Sequence, residues 1–183
     1  LGLQVFGGHG YISEWGMEQN VRDARIGMIY EGTTGIQALD LLGRKVLMTQ
    51  GESLKGFTRQ VHLFCKENAD NEQLKEFLNK EWGDLTMKIG MTAMKNREEV
   101  GAASVDYLMY SGYAVFAYLW ARMAKVALDK MVEGTTEEMF YNAKVQTARF
   151  YFKRMLPRAK SHAESMLAGA DSLMDMPEEA FAI

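Results

Sequence analysis

Two short stretches near the start of the 183-residue chain carry residue types that can do chemistry. The first is Ile29-Tyr30-Glu31-Gly32-Thr33-Thr34, a single carboxylate just ahead of a helix start and beside a glycine that lets a ligand come close. In an apolar pocket such a carboxylate loses solvation, its pKa rises, and it can remove a weakly acidic carbon-bound proton near neutral pH. Plain helix-end electrostatics also accounts for the position, being worth about 0.3–1 kcal/mol to an acid at a helix start. The second stretch is Gln4-Val5-Phe6-Gly7-Gly8-His9-Gly10-Tyr11, a side-chain amide beside glycines whose N–H groups can face a pyrophosphate or a nucleotide edge. No strand precedes it, so it is not the strand-linked Gly-x-Gly-x-x-Gly fingerprint, and a tight interhelical turn accounts for it as it stands.

Other reactive side chains read as structural. Arg22, Asp23 and Arg25 read as an ion-pair network on the helix before Glu31. His9, His62 and His162 have no metal-ligand spacing, and no metal site is assigned. Cys65 falls in an apolar stripe, the place of a structural thiol rather than a nucleophile. The aromatic and methionine richness of residues 107 to 123 reads as core packing, with a ligand cavity as the alternative.

The elements that must position these groups are helical. Only two prolines, Pro157 and Pro177, and 14 methionines favour long helices over short strands, so the expected class is all-α. Leu1 to Phe6 ends a helix, and Gly7, Gly8 and Gly10 make a turn. Ser13 caps a helix over about Glu14 to Arg25, with Met17, Val21, Ala24 and Met28 on one face. After the break at GMIYEGTT, Thr33 or Thr34 caps a helix whose stripe is Ile36, Leu39, Leu42 and Val46, ending near Gly51.

A helix over Glu52 to Glu67 follows, with Leu54, Phe57, Val61 and Phe64 on one face. Asp70 or Asn71 restarts the helix, and Leu74, Leu78, Leu85, Ile89 and Thr92 carry it to about Asn96, with Gly83 and Gly90 permitting close packing. Glu98 to Met131 is apolar on most of its circumference, as a covered central helix must be. Thr135 and Glu138 form a capping box for a last long helix that Pro157 kinks or divides, and the tail from Asp171 onward is loose. A boundary near Gly51 gives residues 1–50 and 51–183.

Composition limits the partners. With 24 acidic and 21 basic residues there is no global positive field to gather a phosphate backbone, which argues against nucleic acid. A lone cysteine allows no internal disulfide and suits a reducing, cytoplasmic setting. The chain opens at Leu1 without an initiator methionine, a basic n-region or an apolar h-region, as a chain beginning inside an element would. The longest uncharged stretch, Tyr107 to Ala121, falls short of the ~20 residues of a membrane helix and is bracketed by Asp106 and Arg122.

The two stretches occur together, in order, with VRDARI between them. QVFGGHGY followed by VRDARIGMIYEGTTGIQ resembles the acyl-CoA dehydrogenase family in wording and in the spacing from Gly8 to Glu31. The helical remainder is similar to the C-terminal extension of the subgroup that includes 3-methylmercaptopropionyl-CoA dehydrogenase. The resemblance implies the end of that family's C-terminal helical bundle in residues 1–50 and a helical extension domain in residues 51–183. It implies an FAD-dependent oxidation of an acyl-CoA thioester to a trans-2-enoyl-CoA, with Glu31 as the catalytic base and Gly32 bordering the substrate. Thr33 and Gly35 would lie against FAD. Gln4, Val5, Phe6, Gly7 and Gly8 match the segment that meets the FAD of a neighbouring subunit, implying a homo-oligomer, a dimer or a tetramer. Electrons would pass to an electron-transferring flavoprotein. Because the family's flavin-binding β-domain cannot be built from these residues, the chain alone is expected to be inactive. Two alternatives stand beside this reading: an α-helical interaction module with an inert flavin motif, and an acyl-CoA oxidase.

Overall fold

The structure is a computed structural model that describes residues 1–72 and 82–181. The described residues form helices and no strand, so the chain is all-α. They fall into two compact units, Leu1–Gln37 and Ala38–Ile183.

The first unit holds two α-helices, α1 (Gly2–Val5) and α2 (Met17–Ile26), joined by 3-10 turns at Gly7–Tyr11 and Ser13–Trp15. Two glycines of the GGHGY turn are required for different reasons. Gly7 has φ 58°, a left-handed conformation that costs other residues about 1–2 kcal/mol. Gly10 is buried, and a Cβ there would collide with the Leu3 carbonyl oxygen. Ser13 does not cap α2. Gly16 turns left-handed at φ 68° and interrupts the helical path, so α2 begins at Met17 and ends one residue beyond the expected Arg25. Its stripe faces outward, with Val21 and Met28 exposed.

The helix α3 (Thr34–Leu39) runs into a π-helical stretch, Asp40–Leu47. Met48 N–H donates to the Gly43 carbonyl at 2.9 Å and Gly51 N–H to that of Val46 at 2.8 Å, both five residues back. The buried residues are Ala38, Leu42 and Val46, whereas Ile36 and Leu39 of the expected stripe are 59% and 42% exposed. Ala38 was passed over because alanine carries little signal in an apolar pattern.

The helix α4 (Glu52–Glu67) has the expected bounds, with Leu54, Phe57, Val61 and Phe64 half-buried and Cys65 buried. Of the next helix, Leu74 and Leu78 lie outside the described residues; α5 (Trp82–Ala93) buries Ile89 and stops short of Asn96. Thr92 is exposed, and its hydroxyl donates back to the Lys88 carbonyl at 2.8 Å. A Cβ on Gly90 would stand 3.5 Å from Leu47, an ordinary contact, and Gly83 faces open space, so neither glycine is required by close packing.

The central element is α6 (Glu98–Glu133), 36 residues and about 54 Å long at 1.5 Å per residue. Its buried alanines, Ala103, Ala117, Ala121, Ala124 and Ala127, let neighbouring helices come close. Two cores sit along it. The larger joins Leu42, Val46, Ile89, Tyr107, Tyr110 and Met166; the smaller joins Ala121 and Ala124 to Ala148. The buried hydroxyls of Ser104 and Ser111 donate to the carbonyls of Gly101 and Tyr107, which removes the cost of burying them. The cover is not complete: Val105, Met109, Phe116, Leu119, Met123 and Val126 stay exposed.

The helix α7 (Glu138–Phe150) starts without the expected capping box. The Thr135 hydroxyl accepts the N–H of Glu137, the residue before the helix, at 3.1 Å, a local turn that takes the place of a cap. A π-helical turn at Tyr151–Met155 and a 3-10 turn at Leu156–Arg158, containing Pro157, divide α7 from α8 (Ala159–Met166), as the proline requires. The tail is more ordered than expected, with a short helix α9 (Asp171–Met174) and a 3-10 turn at Glu178–Phe181, both exposed.

Candidate functional site

Glu31 sits in the turn between α2 and α3, and its backbone is in the left-handed region at φ 56°. Glutamate rarely holds that conformation, which costs about 1–2 kcal/mol unless the surroundings impose it. The Gln37 side chain supplies one constraint: its Nε2–H donates to the Glu31 carbonyl at 2.6 Å. Gly32 follows at φ 102°, and a Cβ there would lie 3.2 Å from both Gln37 Nε2 and Ile36 Cγ2. The turn thus needs glycine twice over, for its dihedral and for its space.

The Glu31 carboxylate is exposed and makes no hydrogen bond or ion pair with a described group. It does not cap α3, although it stands three residues from its start. The Glu31 N–H is likewise free of any described acceptor. One residue therefore offers an acceptor for a proton and, on its backbone, a donor for an oxygen. Thr33 opens the next helix by accepting the Gln37 N–H at 3.0 Å on its carbonyl, and Gly35 presents a side on which a Cβ would meet nothing.

In the other stretch the Gln4 amide is exposed and has no described partner, Val5 is 84% exposed and Gly8 is open on its Cβ side. Trp15 holds this turn from below: its ring lies 6.0 Å from that of Phe6 and 5.5 Å, edge-on, from that of His9. An unspent amide beside an uncovered glycine backbone suits a flat or polar group laid against it.

The basic and acidic side chains on α2 form less of a network than expected. Arg22 pairs with Glu18 at 3.4 Å and donates to Gln19 Oε1 at 3.1 Å, Asp23 accepts from the Gln19 amide at 2.6 Å, and Arg25 reaches only the Met28 sulfur. Glu18 lies one turn before Arg22, where an i, i+4 pair forms, while Asp23 is linked to Arg22 only through Gln19. Gln37 was missed as part of the site; its place three residues into the helix after Thr34 was the available signal. His162 pairs through Nδ1 with Asp106 at 2.7 Å, half-buried, with Tyr113 stacked on the imidazole. No cluster of three potential metal ligands occurs among the described residues. No helix among them is long and apolar enough to cross a membrane.

Two family models match the chain: one described as acetyl-CoA dehydrogenase C-terminal like, over residues 57–177, and one as the acyl-CoA dehydrogenase C-terminal domain, over residues 1–47. The chain is 34% identical to the broad-specificity linear acyl-CoA dehydrogenase of Mycobacterium tuberculosis, covering 98% of the chain and 32% of that protein. It is 32% identical to 3-methylmercaptopropionyl-CoA dehydrogenase of Ruegeria pomeroyi, over 95% of the chain and 31% of the relative. A butyryl-CoA dehydrogenase of Syntrophomonas wolfei is 29% identical over 98% of the chain and 31% of its own length. The chain thus spans about a third of the length of these relatives. Matched from its first residues through nearly all of its helical length, the chain belongs to the acyl-CoA dehydrogenase family.

Proposed function

We propose that this chain supplies the catalytic base and part of the flavin contact of an enzyme that oxidises an acyl-CoA thioester to a trans-2-enoyl-CoA. The observation that carries the proposal is Glu31: an unpaired carboxylate on a left-handed backbone, in a tight turn that the following glycine makes possible. Strain kept at a residue that caps nothing and pairs with nothing is a mark of function.

Glu31 takes the α-proton of the thioester. Its free N–H donates to the thioester carbonyl oxygen, stabilising the charge that develops there as the α-proton leaves, the kind of aimed donor that commonly dominates such steps. Gly32 borders the substrate, and Gln37 holds the Glu31 carbonyl so that N–H and carboxylate keep their places. FAD, when bound, supplies the hydride acceptor for the β-hydrogen. On the side of this chain Thr33 and Gly35 would lie against it, and Gln4, Val5, Phe6, Gly7 and Gly8 would meet the FAD of a neighbouring subunit. The open, unspent Gln4 and Gly8 support that role, under which the active assembly would be at least a dimer. Residues 1–50 then end the family's helical domain and 51–183 form its extension, as the matches over 1–47 and 57–177 support, although residues 38–50 pack with the second unit. Electrons leave to an electron-transferring flavoprotein. Turnover needs the remaining two thirds found in the relatives.

The test is Glu31→Gln in the complete enzyme, followed by acyl-CoA-dependent bleaching of bound flavin. Gln keeps the size and removes the base. Bleaching should collapse while FAD stays bound; near-normal bleaching demotes Glu31 to a helix-end carboxylate.

A further inference from the structure

A cavity of about 350 Å³ opens between α4 and α6, wholly within the second unit. That volume lies at the lower end of small-ligand sites. Its inner side is lined by Ala114, Ala117 and Ala121 of α6, one stripe of short side chains that leaves a trough. An aromatic wall borders the trough. The Tyr118 ring meets Phe57 edge-on at 5.5 Å and Phe64 at 5.7 Å, with the Arg122 guanidinium 5.5 Å from its centroid.

The outer side carries basic side chains. Lys55, Arg59 and His62 line the cavity from α4, four and then three residues apart and so on one face of the helix. Lys55 is already neutralised by Glu52 at 2.6 Å. Arg59 and His62 have no hydrogen bond or ion pair with any described group, and no carboxylate lines the cavity among the described residues. An unspent guanidinium beside an imidazole, above an apolar trough, recognises one shape of molecule: a charged anionic end joined to a hydrocarbon chain.

We propose that this cavity binds an anionic amphiphile, with its carboxylate or phosphate head on Arg59 and His62 and its alkyl chain along Ala114, Ala117 and Ala121. The site shares no residue with Glu31 and its turn, so it stands or falls apart from the catalytic reading.

Isothermal titration of the chain with octanoate, octyl phosphate, octanol and inorganic phosphate tests it. At least one of the two anionic amphiphiles should saturate a single site, whichever is tighter naming the head group, and octanol and inorganic phosphate should each bind about tenfold more weakly or worse. The exposed Arg59→Gln should weaken the anionic amphiphiles about tenfold and leave octanol unchanged. Ala114→Phe, which fills the trough, should weaken all alkyl probes, with circular dichroism checking its fold. Octanol binding as tightly as octanoate, no effect of Arg59→Gln, or no saturation by either amphiphile would each overturn the proposal.

Discussion

Replacing Gln37 by leucine keeps the bulk of the side chain and deletes the donor that fixes the Glu31 carbonyl at 2.6 Å. Two opposing quantities set the result. Glu31 at φ 56° carries about 1–2 kcal/mol of backbone cost, and the Gln37 hydrogen bond contributes about 0.5–1.5 kcal/mol net toward holding it there. Both partners are exposed, so water competes and the lower half of that range applies. Losing about 0.5–1 kcal/mol shifts a two-state turn by roughly two- to fivefold toward its relaxed form. In the complete enzyme, flavin bleaching at saturating acyl-CoA should therefore slow about two- to fivefold, with FAD content unchanged and the KM nearly so, because Gln37 positions the base without touching the substrate. An undiminished rate would mean that the turn is held by its own glycine and helix start, and that Gln37 does not position the base.

Three further outcomes follow from the same geometry. Gly32→Ala imposes both an unfavourable φ and contacts of 3.2 Å on Gln37 and Ile36, about 1–3 kcal/mol of strain, and should cut bleaching more deeply than Gln37→Leu; an equal or milder effect counts against the tight turn. Leu42→Ala removes a fully buried side chain from the larger core and should lower the unfolding free energy of the second unit by about 2.7–5 kcal/mol in urea titration, with a loss under about 1 kcal/mol contradicting its central place. Burial first, and the nearby Tyr113 second, push the Tyr151 phenol up to about 12, and its O–H donates to the Tyr113 carbonyl at 2.8 Å. The phenol ionises at lower pH in the unfolded chain, so the stability tied to its proton is complete below about pH 10 and is lost as pH rises toward 12. Tyr151→Phe should flatten the alkaline limb of the unfolding midpoint against pH, and an unchanged limb refutes the assignment.

Long helices with strong period were legible in the sequence: α4 has its expected bounds, α6 ends two residues past the expected Met131, and Pro157 divides the chain where a missing N–H demands it. Helix starts were less so. Ser13 and Thr135 are good caps by type, yet Gly16 and a local hydroxyl turn decided the actual starts, because a left-handed glycine or a two-residue turn outweighs a cap by small, sequence-invisible differences. The stripe after Thr34 was right at Leu42 and Val46 and misplaced at Ile36 and Leu39, because the buried row starts at Ala38, four residues before Leu42, and an alanine gives little signal in an apolar pattern. At the site, the glutamate and its glycine stood out through neighbours and spacing. Its backbone strain and the Gln37 bond are three-dimensional facts that no residue type announces.

The 36-residue α6 runs through both cores, the larger packed near its first half and the smaller near its second. Its two halves therefore differ in how often their amides meet solvent. Opening the second half frees Ala121 and Ala124 from Ala148 and from side chains that are only partly buried, Phe64, Trp120, Leu128 and Phe152, whereas opening the first must free the buried Tyr107 and Tyr110 from Leu42, Val46 and Ile89. Exchange of amide protons for deuterium should sweep along this one helix from its C-terminal end, with residues 121–133 exchanging by partial opening and residues 103–111 only when the whole unit unfolds. A single continuous helix thus carries a gradient of protection that its uniform geometry does not reveal.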